Sequence, residues 1–324
     1  MRSTQLVACV LILGMAAGPT AASGAGAAEA WPQRTVRLIV PFGSGTGPDV
    51  AARLYAERLG ARWHQAVIVE NRTGADGLVG ATTFAAMRDD HALLFSPAQP
   101  ISVFPYTLEK IAYDPVRDFV PISEAVDTFG SIAVSSSLAV RSLAELVALA
   151  RAQSGERNWT SGGGAFPTLL AGFARTAGLD MVQVSYREQN LALQDLAEGR
   201  VQILATTLTA LLPYAKAGKI RLLAVTNKSR APMAPDVPTA TEAGFPGLAF
   251  EGLIGFFGGR DMPPALRDRI SEDVRAVAAD PVLVERLARA GQVAHAGTPA
   301  QFGGAIEEQR ARIAALARLV REAR

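Results

Sequence analysis

Residues 43, 45 and 47 are glycines within the run Pro41-Phe42-Gly43-Ser44-Gly45-Thr46-Gly47-Pro48-Asp49. This spacing lets the backbone come close to a bound molecule, because no Cβ stands in the way. Pro48 suits the first turn of a helix, where its missing N–H would be unsatisfied in any case. The unpaired N–H groups of such a turn, with the positive end of the helix dipole, form a site for an anion. Phe42, Gly43, Ser44, Gly45, Thr46, Gly47 and Asp49 are therefore candidate ligand contacts. No Gly-Lys-Ser/Thr follows, which removes a nucleotide phosphate loop. Pro48 also stands where a dinucleotide Gly-x-Gly-x-x-Gly would need its last glycine. A carboxylate fits as well as a phosphate, and a glycine-rich turn without a ligand stays open as an alternative.

A second run, Ser161-Gly162-Gly163-Gly164-Ala165-Phe166-Pro167, has the same strand-to-helix setting. Two such turns could face each other across a cleft, at the carboxyl ends of strands where open sheets bind ligands. Ser161, Gly162 and Gly163 join the candidate set, as does Ser96, directly after a predicted strand. Catalytic chemistry finds little support. His64, His91 and His295 are far apart in sequence with no metal-ligand spacing, so no metal site is expected. Gly-x-Ser-x-Gly is absent. Asp89-Asp90 reads as a solvated turn and Glu307-Glu308 as a helix surface, so no acid, base and nucleophile are recruited together.

The elements that must hold these turns follow from periodicity. Strands are predicted at 36–40, 66–70 and 92–95, with helices at 50–59 and 78–87 between them. A second series has strands near 132–134, 159–161, 181–184, 201–205 and 222–225. Helices near 143–153, 169–177, 191–197 and 210–217 separate them. This βαβα rhythm predicts an α/β protein with mostly parallel sheets flanked by helices. Two series, broken by Pro-rich stretches at 97–121 and 231–246, predict two lobes. The last 60 residues read as helical. A final amphipathic helix starts at Gln301, with Ile306, Ile313, Leu316 and Leu319/Val320 near one face, expected to pack on the chain's own lobe.

Composition narrows the partners. The chain has 324 residues, 32 Lys+Arg against 30 Asp+Glu, and only 6% aromatics. With no basic tract and few aromatics, a nucleic-acid partner is not expected. Met1-Arg2, an apolar run over 6–17 and the small residues up to Ala30 form a secretory signal. Cleavage fits after Ala25-Gly26-Ala27 or Ala28-Glu29-Ala30, which removes residues 1–30 or nearly so. The apolar run is too short to span a hydrocarbon core of ~30 Å. The single cysteine, Cys9, leaves with the signal, so disulfides and thiol catalysis are excluded from the mature chain.

Several separated motifs carry a family resemblance. They are Trp31-Pro32 with Val36-Arg37-Leu38-Ile39-Val40-Pro41-Phe42; Val69-Glu70-Asn71-Arg72-Thr73-Gly74-Ala75-Asp76-Gly77; Tyr113-Asp114-Pro115; Ala217-Gly218-Lys219-Ile220-Arg221; Pro235-Asp236-Val237-Pro238-Thr239; and Gly297-Thr298-Pro299. In this order they resemble the Bug receptors, the periplasmic solute-binding proteins of tripartite tricarboxylate transport systems. The resemblance implies a two-lobed Venus flytrap that needs no cofactor and has no catalytic step. Lobe 1 would comprise 31–128 plus 253–324, and lobe 2 would comprise 129–252. It further implies that a small mono- or dicarboxylate is held by main-chain amides and bridging waters of the two glycine loops. A monomer would deliver that ligand to a membrane permease. A receptor feeding a signalling system and a secreted enzyme acting on a small acid are the alternatives.

Departures from the family pattern bear on the ligand. Thr46 stands where family members usually have a glycine, and the second loop's usual downstream His falls on Pro167 or Leu169. The family's Tyr-Lys-Gly is Tyr186-Arg187-Glu188 here, which makes Arg187 a candidate partner for a second carboxylate. A frequent Asp is replaced by Thr206, with Thr207 beside it, so a partner for a ligand ammonium is lost. An acidic amino acid is therefore disfavoured as ligand.

Overall fold

A computed structural model describes residues 31–322. The signal segment 1–30, with Cys9, lies outside the described residues. The chain begins β1 (Val36–Val40), α1 (Gly47–Trp63), β2 (Val67–Asn71), α2 (Leu78–Ala86), β3 (Ala92–Pro97) and β4 (Phe119–Thr128). It continues β5 (Gly130–Ser135), α3 (Leu143–Ala152), β6 (Arg157–Ser161), α4 (Phe166–Thr176), β7 (Met181–Gln183), α5 (Gln189–Ala197), β8 (Ile203–Thr207), α6 (Leu208–Lys216) and β9 (Ile220–Val225). It closes with β10 (Gly252–Gly259), α7 (Pro264–Ala278), α8 (Pro281–Arg289), β11 (Val293–Ala294) and α9 (Pro299–Arg321).

Two sheets result, ordered β11-β4-β10-β3-β1-β2 and β7-β6-β8-β5-β9. In the first, β1 pairs in parallel with β2 on one side and β3 on the other. In the second, β6 pairs in parallel with β7 and β8 in the same way. Strand order therefore reverses at β1 and at β6, and each is followed directly by one of the glycine-rich turns.

Both sheets are mixed, which corrects the expectation of mostly parallel ones. β10 runs antiparallel to β3 and β4, β11 to β4, and β5 to β8 and β9. The spacing gives no strand at β4 or β10 for a physical reason. β4 interrupts its apolar residues with Ser123, Glu124 and Asp127, and β10 carries four glycines, which have low strand propensity. Gly255 is needed there: a Cβ would lie 2.4 Å from the Ser123 carbonyl and 2.6 Å from the Phe302 ring.

Helices cover both faces of each sheet. Along β10 successive side chains point to opposite faces, so Phe256 enters one core layer and Phe257 the other. Phe256 meets Phe95 edge-to-face at 4.9 Å between centroids, and Tyr55 at 5.5 Å. The Tyr55 hydroxyl is fully buried and donates to the Ala125 carbonyl at 2.7 Å. In the second sheet, Ile132 and Val134 of β5 face the layer of α3 and α4, while Ala133 faces that of α5 and α6.

α9 starts with a capping box, in which Thr298 and Gln301 satisfy each other's backbone N–H groups. Its first half buries Phe302 and Ile306 beneath the first sheet. Its second half lies against the second: Ile313 packs with Ala165, and Leu316 sits where a Cβ on Gly172 of α4 would be only 2.6 Å from its Cδ2. Arg312 donates to the Pro246 carbonyl at 2.6 Å. The apolar face of the last helix is thus consumed internally, by both sheets, up to Leu319, which stays exposed. Among the described residues no helix is long and apolar enough to cross a membrane.

Removing the Phe256 ring leaves a cavity in the densest aromatic cluster. Phe256→Ala is expected to cost about 3–5 kcal/mol. Urea unfolding checks this, with the midpoint moving and the slope unchanged.

Candidate functional site

Between the sheets lies a cleft of about 700 Å³, lined by Gly45, Thr46 and Gly47 from the first glycine turn and by Gly163 and Gly164 from the second. Its walls carry Phe42, Phe129, Phe166 and Phe250, with Gln99, Gln189, Asn190, Thr206, Thr207, Thr226 and Gln292 among the polar groups. Asp76 and Glu251 are the acids on its surface, and no Lys or Arg is among the lining residues. A negative ligand here must be met by neutral donors.

The first turn is shaped from below. Asp49 is 1% exposed and does not line the cleft. Its carboxylate accepts from the Gly45 N–H at 2.8 Å, from Asn71 at 2.8 Å and from Arg53 at 2.9 Å and 3.0 Å. Burial pushes this carboxyl up, but the bonds from Arg53, Asn71 and Gly45 outweigh it and hold it below the ordinary range. The Asp49 side chain is therefore a positioning group, not a ligand contact, and it engages the Gly45 amide. Gly45 needs its positive φ of 81°, and Thr46 caps α1 in extended conformation while its hydroxyl donates to the Gly43 carbonyl at 2.7 Å. The amides of Gly47 and Asp49, in the first turn of α1, have no partner within the helix. Gln292 supports this turn by donating to the Gly47 carbonyl at 3.1 Å, and its Oε1 is buried without a protein partner.

The second turn is equally constrained. Gly162 donates to the Ala205 carbonyl at 2.9 Å, and a Cβ on it would stand 2.5 Å from Thr206 Oγ1. Thr206 in turn accepts from Gln189 Nε2 at 2.9 Å, so Thr206 and Gln189 form one fixed corner of the cleft, with Gly162 buried behind it and outside the lining. The chain crosses between the sheets at Phe129 and returns between β9 and β10. There Asn227 donates to the Thr128 carbonyl at 2.9 Å and accepts from the Gly130 N–H at 3.3 Å.

Other sequence candidates lie outside the cleft. Ser96 is fully buried and donates to the Pro97 carbonyl at 2.8 Å. Ser44 is exposed, and Gly43 and Ser161 are half-buried, away from the lining residues. Arg187 is exposed and is not among the lining residues. Sequence reading misses Asp76, Gln99, Gln189 and Gln292, which come together only through the tertiary fold.

Two carboxylate clusters stand apart from this site. Asp89 is not a solvated turn residue: Arg34 and Arg37 bind it at 2.6 Å and 2.8 Å, and the Arg34 guanidinium holds its carboxyl well below the usual range. His295 approaches Asp127 at 3.1 Å and the buried Glu124 at 3.7 Å, a grouping that sequence spacing does not show. Burial, reinforced by the nearby Asp127 and Glu251 carboxylates, pushes Glu124 up to about 8 against the pull of His295. The bond to Asp127 raises His295.

Against this geometry, comparison with known proteins is decisive. Residues 51–321 match the sequence pattern described as tripartite tricarboxylate transporter family receptor. The chain belongs to that family. The receptor is 33% identical over 286 residues to a curated relative from Bordetella bronchiseptica, covering 87% of this chain and 84% of that one. Its fold is similar to that of Rpa4515 of R. palustris, solved with adipate: TM-score 0.77, 29% identity, covering 90% of this chain and 98% of that one. It is similar also to MatC of Rhodopseudomonas palustris, solved with bound malate: TM-score 0.74, 25% identity, covering 89% of this chain and all of that one. The receptor's two glycine turns and mixed sheets thus sit in a periplasmic-binding-protein architecture.

The Glu124 cluster gives the receptor a pH signature. Glu124 and His295 both hold a proton more tightly folded than unfolded, so both stabilise the fold at low pH and withdraw that support as pH rises. For Glu124 the loss runs from its ordinary 4.5 to about 8, and for His295 it begins at 6.5. The melting temperature is expected to fall between about pH 5 and pH 8, and Glu124→Gln to flatten the fall. Parallel pH profiles for the two proteins would contradict this.

Proposed function

We propose that this receptor captures a small organic acid between two lobes and hands it to a membrane permease. Lobe 1 is 31–128 with 253–324, and lobe 2 is 129–252. Removal of residues 1–30 on export places it in the periplasm, where it acts as a monomer. One observation carries the reading. Two glycine turns, each following the strand at which its sheet reverses, converge on one cleft with no Lys or Arg on its lining.

A carboxylate at the start of α1 meets main-chain N–H groups already aimed at it, together with the positive end of the helix dipole. The turn that carries these donors is fixed by Asp49 and Gln292 before the ligand arrives, so little ordering entropy is lost on binding. Thr206, Thr207 and Gly163 would face the ligand from lobe 2, and water would complete contacts too long for direct bonds. The phenylalanines cover its carbon skeleton. Adipate and malate in the two related structures support a small carboxylate as the ligand class. No side chain on the cleft is placed as an activated nucleophile, so capture and release, without turnover, is the proposed activity.

Binding to the folded state raises its melting temperature. An acid at 100 times its Kd contributes about 2.7 kcal/mol, a shift on the order of 5 °C. A thermal-shift screen of small mono- and dicarboxylic acids should find such ligands; a flat screen at millimolar acid contradicts the reading. Thr46→Glu puts a negative charge on the cleft wall, where the N-cap of α1 tolerates it. It is expected to weaken acid binding at least about tenfold, roughly 1.4 kcal/mol, without lowering the melting temperature of the unliganded protein.

A further inference from the structure

Asp76 lies in the loop between β2 and α2 of the first sheet, yet its Oδ2 accepts from the Gly164 N–H of the second at 2.7 Å. Gly164 belongs to the second glycine turn and lines the cleft. The approach is close: a Cβ on Gly163 would stand 2.8 Å and 2.9 Å from the two Asp76 oxygens. The loop is also held in a costly backbone conformation, with Ala75 at φ 46° and Asp76 at φ 53° and ψ 33°. Non-glycine residues adopt that left-handed region only when their surroundings impose it. Gln99 fixes it by donating to the Asp76 carbonyl at 2.6 Å. The protein thus presents one of its own carboxylates to a donor suited to a ligand's carboxylate.

We propose that Asp76 is a specificity-determining residue: a built-in carboxylate that fills the anion position of the second turn and restricts the cleft to acids with a single carboxylate. The inference rests on the receptor reading above and narrows its ligand class. A monocarboxylic acid places its charged end at the start of α1 and its carbon chain among Phe42, Phe129, Phe166 and Phe250. A dicarboxylic acid long enough to reach the second turn must bring its far carboxylate beside Asp76 and compete for the same N–H. No lining cation offsets that repulsion, and Glu251 adds to the negative field. Discrimination comes from the repulsive element as much as from the attractive one.

Isothermal titration of hexanoate against adipate, and of butyrate against succinate, tests this on the mature protein and on Asp76→Asn and Asp76→Gly. The wild type is expected to favour the monoacid of each pair by at least about tenfold. Asp76→Asn, which keeps an acceptor for Gly164 but loses the charge, should collapse the ratio. Asp76→Gly, which also relieves the backbone, should do the same. A wild type that binds diacids as tightly as monoacids overturns the proposal, as does a ratio unchanged in both variants. Folded proteins, checked by circular dichroism, that bind no acid at all overturn the receptor reading with it. That failure is told apart by the absence of any heat rather than by an unchanged ratio.

Discussion

A strand whose parallel neighbours are reached by crossovers leaving in opposite directions has a gap above its carboxyl end, and the next loop falls into that gap. Here the condition is met twice, at β1 and at β6. Each of these strands runs straight into a glycine-rich turn and then a helix beginning with proline at its first or second position. The cleft exists because these two gaps open toward each other. The phenylalanine walls, the Gln189–Thr206 corner and the Asn227 crossing are arranged around that fact.

The donors in the gap are held in place by side chains bonded to the turn, Asp49 from beneath the lining and Gln292 from within it. Asp49 spends its carboxylate on Gly45, Asn71 and Arg53, and Gln292 reaches the turn from the far end of the chain, 245 residues on. Recognition is thereby moved from side-chain charge to backbone geometry. The chain's near-neutral balance of 32 basic and 30 acidic residues fits such a device. A lysine at the cleft would bind any anion; a fixed set of amides reads the shape of one.

The glycine turns are legible in the sequence because their signal is local: strand periodicity, three glycines and a proline in one short window. The parallel strands β1, β3 and β8 are legible for a similar reason, as short apolar or β-branched runs, while the more polar β6 is marked chiefly by Trp159, Thr160 and the glycines that follow. β4 and β10 are not, since polar residues in one and glycines in the other hide strands that only their neighbours stabilise. Position at a strand end points Ser96, and adjacency to the first turn points Asp49, at the ligand. Burial decides otherwise, and it is a property of the whole fold. The contact of Asp76 with Gly164 spans 88 residues, and no spacing rule connects them. Arg187 suits a carboxylate by chemistry, yet it is exposed and not among the residues lining the cleft, a placement that its type alone does not reveal.

The last helix adds a mechanical consequence. Two chain crossings alone would let the halves swing and twist about a flexible waist. α9 ties them a third time, with Phe302 seated under one sheet and Leu316 against the bare backbone of Gly172 under the other. Arg312 on the Pro246 carbonyl and Ile313 on Ala165 fasten the same half of the helix. A movement of one half is thereby passed to the other through the helix as well as through the two crossings.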